Sequence, residues 1–509
     1  MQKKQTILVV ASLLVVILSV TLAYFTAQII GKGKNVTINS ADLKIVFTDS
    51  DGSISGSNIE PGKWNVTKTF TIENKSNETY KYNIVIQDLV NTFVTEGYLQ
   101  YKITSTNGGY NMTEFKDVPK SETAKDTILA YSVSIPVVVT QSYTVEFKYS
   151  NDESVDQSED MGKTLSGKLF ITEGTEEPTL LSQILKDNPT RSTRSNNNNG
   201  TNDFATPLTT TTTGTLFTST ESITGITDSP KEVYYFAGNT TNNWVKFANL
   251  YWRIIRTNHD GSIRLLYVGT SHDTTSGNIG ESAFNTNSNS PKYVGYKYGE
   301  DTSLDTIRNN TTDSTIKTFI DSWYQNNLTN YTKYLSTSAV YCNDRSEGTG
   351  QTYSASSKFN FASYYRMDWD TDGAKANPSY NCTNIKDAFS VDNTSAKLDY
   401  PIALMTADEI AYAGGVAFQK MSTPYAWFIS NSTGSQVSSN WWSLSPIYWN
   451  GSYTLVWDWS SGLADLDFHT ATDALGVRPA ISLKFCIKYS TGNGTYNEPY
   501  EIKETSSGC

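Results

Sequence analysis

Histidine is nearly missing from this chain: His259, His272 and His469 are the only three in 509 residues. No H-E-x-x-H helix joins any of them, so a zincin-type metal site has no ligand set. A G-x-S-x-G nucleophile elbow and a phosphate-cradling glycine loop are absent as well. The chain is therefore not expected to be an enzyme. Paired carboxylates for glycoside cleavage leave no local signature, and a carbohydrate-active enzyme stays as a third reading. Charge is sparse too, at 18% of residues, and the balance is −11. Phosphate binding wants a basic face, so nucleic acid is excluded as a partner. Cysteine is limited to Cys342, Cys382, Cys486 and Cys509. With no C-x-x-C spacing a zinc knuckle is not expected. Outside the cytoplasm the even number reads as two sequential disulfides, Cys342–Cys382 and Cys486–Cys509.

Long apolar runs are missing except for one. After Lys3 and Lys4 the chain is uncharged and largely apolar from Ile7 to Phe25. A positive flank before such a run marks an export segment. Residues 1–30 are thus expected to be a signal peptide, cut after Thr21-Leu22-Ala23, or a transmembrane helix that anchors the protein. Either alternative places the rest outside the cytoplasm, at the cell surface or secreted.

What the chain does have is β patterning. Residues 34–173 carry short alternating runs: Leu43–Phe47, Val66–Ile72, Tyr82–Ile86, Val145–Tyr149 and Leu165–Ile171. Period-two alternation buries one face of each strand, and turn signals such as Ser50-Asp51-Gly52 separate them. The expected class is mainly β, with a β-sandwich here. The segments Leu22-Ala23-Tyr24-Phe25-Thr26, Glu60-Pro61-Gly62 and Lys68-Thr69-Phe70-Thr71-Ile72-Glu73-Asn74 resemble camelysin and TasA-type exported matrix proteins. That resemblance implies a jelly-roll-like sandwich and a place in a biofilm matrix. Residues 174–230 hold one short helical pattern, capped by Thr179 and ended before Pro189. Asn196–Asn199 and Thr209–Thr213 follow it, so the segment is expected to be a flexible linker.

From residue 231 to 509 a second domain is expected, of α+β type. Trp252–Arg256 and Ser262–Tyr267 read as a hairpin. Ile316, Phe319, Ile320 and Trp323 fall at helical spacing after Asp313 or Ser314. Thr406-Ala407-Asp408-Glu409 is a capping box before Gly414-Gly415. Ten of the eleven tryptophans lie beyond residue 240. The order Trp441-Trp442-Ser443-Leu444-Ser445-Pro446, Val456-Trp457-Asp458-Trp459, Gly476-Val477-Arg478-Pro479-Ala480 resembles an uncharacterised bacterial extracellular domain family. More distantly it is similar to the C-type-lectin-like fold shared with sulfatase-modifying factors, which implies a binding scaffold without naming a ligand.

Two readings of the aromatics follow. Trp427, Trp441, Trp442, Trp449, Trp457 and Trp459, with Asp458, Asp465 and Asp467 accepting hydroxyls, would make a sugar-stacking platform, Trp449, Trp457, Asp458 and Trp459 being its expected ligand-binding residues. Alternatively these rings pack the domain. Arg478 is expected to fork onto a buried carboxylate. No cofactor is called for, but Asp368, Asp370 and Asp372 have the spacing of the first half of a calcium loop; position twelve is Ser379, so the closing glutamate is missing. The expected work is binding of an extracellular ligand, a glycan or a host or matrix protein. A structural subunit of a self-associating matrix fibre is the alternative.

Overall fold

The structure, a computed structural model, describes residues 35–40, 43–49, 53–55, 59–76, 78–197, 201–367 and 376–509. The export segment lies outside the described residues, as do Asp368, Asp370 and Asp372. Among the described residues no helix is long and apolar enough to cross a membrane. The chain divides into two compact units, residues 1–177 and 178–509.

The first unit is antiparallel throughout. One sheet runs β1 (Asn35–Ser40), β2 (Leu43–Asp49), β4 (Asn65–Asn74), β9 (Thr140–Tyr149), β6 (Leu99–Ser105) and β7 (Lys116–Asp117). The other runs β3 (Ser53–Ser55), β10 (Leu165–Glu173), β5 (Tyr80–Asn91) and β8 (Ser121–Ile135). The alternation seen in the sequence becomes the packing: Tyr143, Val145, Phe147 and Tyr149 of β9 point inward and are buried, and the residues between them are not. They meet Tyr82, Ile84 and Ile86 of β5 and Leu169 and Ile171 of β10 in one core. All five expected strands fall inside observed ones.

The expected linker is a correction. Helix α1 (Leu180–Asp187) does start at Thr179, whose hydroxyl accepts from Ser182 N–H, but it buries Leu180 and Ile184 in the core of the second unit. Strand β11 (Thr190–Thr193) pairs in parallel with β12 (Thr215–Glu221), which continues into β13 (Lys231–Tyr235). Two apolar residues per helical turn gave α1 a face to bury, and Thr215, Thr218 and Thr220 share strand β12 with the buried Leu216 and Phe217, so polar composition masked an edge of the sheet.

The second unit is built on that sheet. At its centre β15 (Leu250–Thr257) pairs antiparallel with β14 (Trp244–Phe247) and β16 (Ile263–Gly269), the expected hairpin. Helix α2 (Thr315–Asn327) begins at Ser314, whose side chain accepts from Lys317 N–H. Helix α3 (Ala362–Arg366) precedes β17 (Ile402–Leu404), and α4 (Ala407–Ala413) opens on the expected capping box of Thr406 and Glu409. A second sheet holds the meander β18 (Trp441–Trp449), β19 (Thr454–Ser460) and β20 (Asp465–Thr470). Cys342 and Cys382 pair at a Cα separation of 5.8 Å, Cys486 and Cys509 at 5.6 Å, both within disulfide reach.

Candidate functional site

The β18–β19–β20 meander gathers most of the residues singled out in the sequence. Its strands are rich in aromatic and β-branched residues, which suits a pleated sheet. The first turn is closed by Asn450, whose side-chain oxygen accepts from Ser452 and Tyr453 N–H, and by Gly451 at φ +91°. Register then sorts the side chains. Leu455, Trp457 and Trp459 oppose Thr470, Phe468 and Leu466, while Val456, Asp458 and Ser460 oppose His469, Asp467 and Asp465. Directly opposed residues share a face, and neighbours along a strand do not. Within β19 and β20, aromatic rings and acids are therefore parted onto opposite sides.

The first face corrects the expected platform. Trp457, Trp459 and Asp458 are 0% exposed and Trp449 is 2% exposed. These three indoles and those of Trp427, Trp441 and Trp442 all belong to the core, where Phe428 meets Trp459 edge-on at 4.9 Å. Such rings cannot stack on a sugar without unfolding the domain. Outward from them runs a chain of other aromatics. Tyr365 contacts Tyr364 at 5.1 Å between ring centres, and Tyr364 contacts Tyr448 at 6.4 Å. Tyr448 meets Phe468 at 5.5 Å, and Phe468 meets Phe418 at 5.9 Å. Tyr365 and Phe418 are 38% and 36% exposed, and the three rings between them are half-buried. Helix α3 holds its end of this stripe by hydrogen bonds: Ser363 Oγ donates to Pro446 O and accepts from the Trp457 indole. Phe418 holds the other end at φ +58°, a conformation bulky side chains avoid. Its N–H donates to Leu466 O at 3.1 Å, which ties the loop to β20.

The opposite face is acidic. His469 Nδ1 lies 2.9 Å from Asp458 Oδ1, and the other Asp458 oxygen is buried without a partner. Asp465 is 4% exposed and one of its oxygens is likewise buried and unpartnered. Burial, with Asp467 nearby, pushes the Asp465 carboxyl up to about 7. Asp458 rises to about 6, chiefly from burial and against the pull of His469. The hydrogen bond to Asp458 in turn raises His469.

Other buried carboxylates of this unit are matched to arginine. Glu221 and Glu409 lie 2.8 Å from Arg256, Asp344 and Asp408 bind Arg366, and Asp387 binds Arg345 and Arg308. Despite the cost of its burial, Glu221 is held at about 2, with Arg256 the main cause. The Arg256 and Arg366 pairs surround only a water-sized cavity, so they read as architecture. Arg478 corrects an expectation: it has no carboxylate, donating instead to the carbonyls of Phe428 and Tyr267 beneath the ring of Trp441. Burial without a counter-charge lowers it to about 9. In the first unit an open cleft of about 350 Å³ is lined by Asp152, Asp156 and Asp160. Asp160 is already bonded by Val94 N–H, Thr95 N–H and Tyr149 Oη, which leaves that cleft no comparable unmet group.

No protein family, curated protein or solved structure matches this chain.

Proposed function

We propose that this is an exported cell-surface protein that binds an extracellular ligand, of glycan type, along the aromatic stripe of its second unit. The carrying observation is the stripe itself: five rings in consecutive contact, with both ends more than a third exposed. Flat rings present area with little conformational freedom to lose, which suits stacking on the apolar faces of sugars. Two cysteine pairs at bonding distance support an oxidising, extracellular setting. The apolar N-terminal run supplies the export signal or the membrane anchor in this reading. The jelly-roll-like and lectin-like resemblances agree with a matrix or surface role, the second unit being the binding module.

The test is a glycan array probed with the full chain and with Tyr365→Ala/Phe418→Ala. Both rings are partly solvent-facing, so the double variant keeps its melting temperature within a few degrees. Binding should fall by about tenfold or more, the worth of one or two stacked rings. Equal binding by both proteins overturns the stripe. Absence of any glycan binding, with concentration-dependent assembly in light scattering, turns the reading to a fibre subunit.

A further inference from the structure

We infer that the acidic face of the meander is a binding site for a hard divalent cation, calcium being the natural choice, held by Asp458, Asp465 and Asp467. Three carboxylates lie on one face of two paired strands, at opposed or adjacent register positions. Like charges so placed are destabilising, and two of these groups are almost wholly withdrawn from water. The independent sign of a ligand is Asp465. It is 4% exposed, its Oδ1 is buried with no hydrogen-bond partner, and it stands on the face that Asp458 and Asp467 share. Asp458 adds a second buried oxygen without a donor. His469 bonds the other oxygen of Asp458 and orients that carboxylate, as the outer partners of metal ligands do. The available donors are all carboxylate oxygens, a set suited to calcium or magnesium and poorly suited to softer metals.

A comparison inside the same unit supports the assignment. Among the described residues, only Asp313, Asp321 and Asp399 already bring three carboxylate oxygens within 4.8 Å of one another. There the ammonium of Lys317 serves as the cation, at 3.0, 2.6 and 2.6 Å. The meander has the same number of acids and no lysine or arginine bonded to them. Its oxygens stand farther apart. Asp467 is half-buried and bonded only by the N–H of Phe468, so on this inference it is the ligand that turns toward the other two as the ion binds. Calcium tolerates such irregular geometry better than magnesium does.

The experiment follows melting of the full chain at pH 7.5 in millimolar calcium chloride and in chelator, alongside terbium emission excited through tryptophan. Trp442 is the cross-strand neighbour of Asp458 and is placed to sensitise a lanthanide there. Calcium should raise the melting temperature by about 3 °C or more, the mass-action effect of a ligand well above its dissociation constant. Asp465→Asn and Asp467→Asn should each abolish both the shift and the emission. Asp465→Asn should also melt no lower than the parent in chelator, because it removes a buried charge, which shows that the variant folds. Identical melting in calcium and chelator without terbium emission overturns the site. A calcium shift that survives Asp465→Asn but is lost in Asp370→Asn assigns the ion to the 368–372 run and overturns it too.

Discussion

Trp457 and Tyr365 show how one residue class divides between core and surface. Trp457 is fully buried, with its indole N–H on Ser363 Oγ. Trp457→Ala is therefore expected to cost about 3 to 5 kcal/mol, measured by denaturant unfolding of the second unit. A loss under 1 kcal/mol would place the ring outside the core. Glu409 carries a different burden, since Arg256 and Arg264 both depend on it. Glu409→Gln leaves two buried guanidiniums short of counter-charge and should cost about 3 to 5 kcal/mol, more than any exposed pair in this protein. Neither role is visible from residue type. Trp-Asp-Trp states only that alternate side chains face opposite ways, and which face is inside depends on Phe428 and Phe418, some 30 to 40 residues earlier in the chain.

Elements were more legible than sites. Helices α1, α2 and α4 each begin at the expected hydroxyl, because a serine or threonine accepting from the N–H three residues on is a local matter. The 174–230 stretch misled for the complementary reason. Its polar runs obey local composition, yet α1 and β12 are held by partners far along the chain, such as Ile487, whose carbonyl accepts from Leu180 N–H. Leu180→Ala with Ile184→Ala should destabilise the second unit by about 4 kcal/mol or more, the sum of two buried large-to-small changes; a tether would feel neither. The cysteine pairs act on the same scale. They close loops with sequence separations of 40 and 23 residues, and reduction should remove about 3 to 4 kcal/mol for each, read as a lower melting temperature in dithiothreitol.

For the whole molecule, two separate cores predict two unfolding transitions in calorimetry, one for each unit. The second should depend on pH in chelator. Asp465 keeps its proton in the folded state up to about 7, against a usual 3.8, so the folded form binds more protons than the unfolded one across that window. Asp458 behaves alike up to about 6. Stability then falls as pH rises from about 4 to 7. His469, raised by Asp458, contributes fully below 6.5 and loses that contribution as pH climbs through its folded value, the same direction. Glu221, held down by Arg256, weakens the fold only below about 4.5, outside this range. The second transition is thus expected to be highest near pH 5 and lower at pH 8, and Asp465→Asn should flatten the trend. A melting temperature that rises across this range would contradict the cluster's burial.

Periodicity, capping and turn chemistry, all read within a few residues, were enough for the β character, three helix starts and the central hairpin. Pairing Cys342 with Cys382 and Cys486 with Cys509 also followed from order along the chain. Tertiary structure alone decided which aromatics are reachable, because burial of Trp449, Trp457 and Trp459 depends on what packs over them. It likewise left Asp465 without a cation while Asp344, Asp387 and Asp408 gained arginines. Those outcomes rest on long-range partners, and a charge cannot announce in sequence whether its partner will arrive.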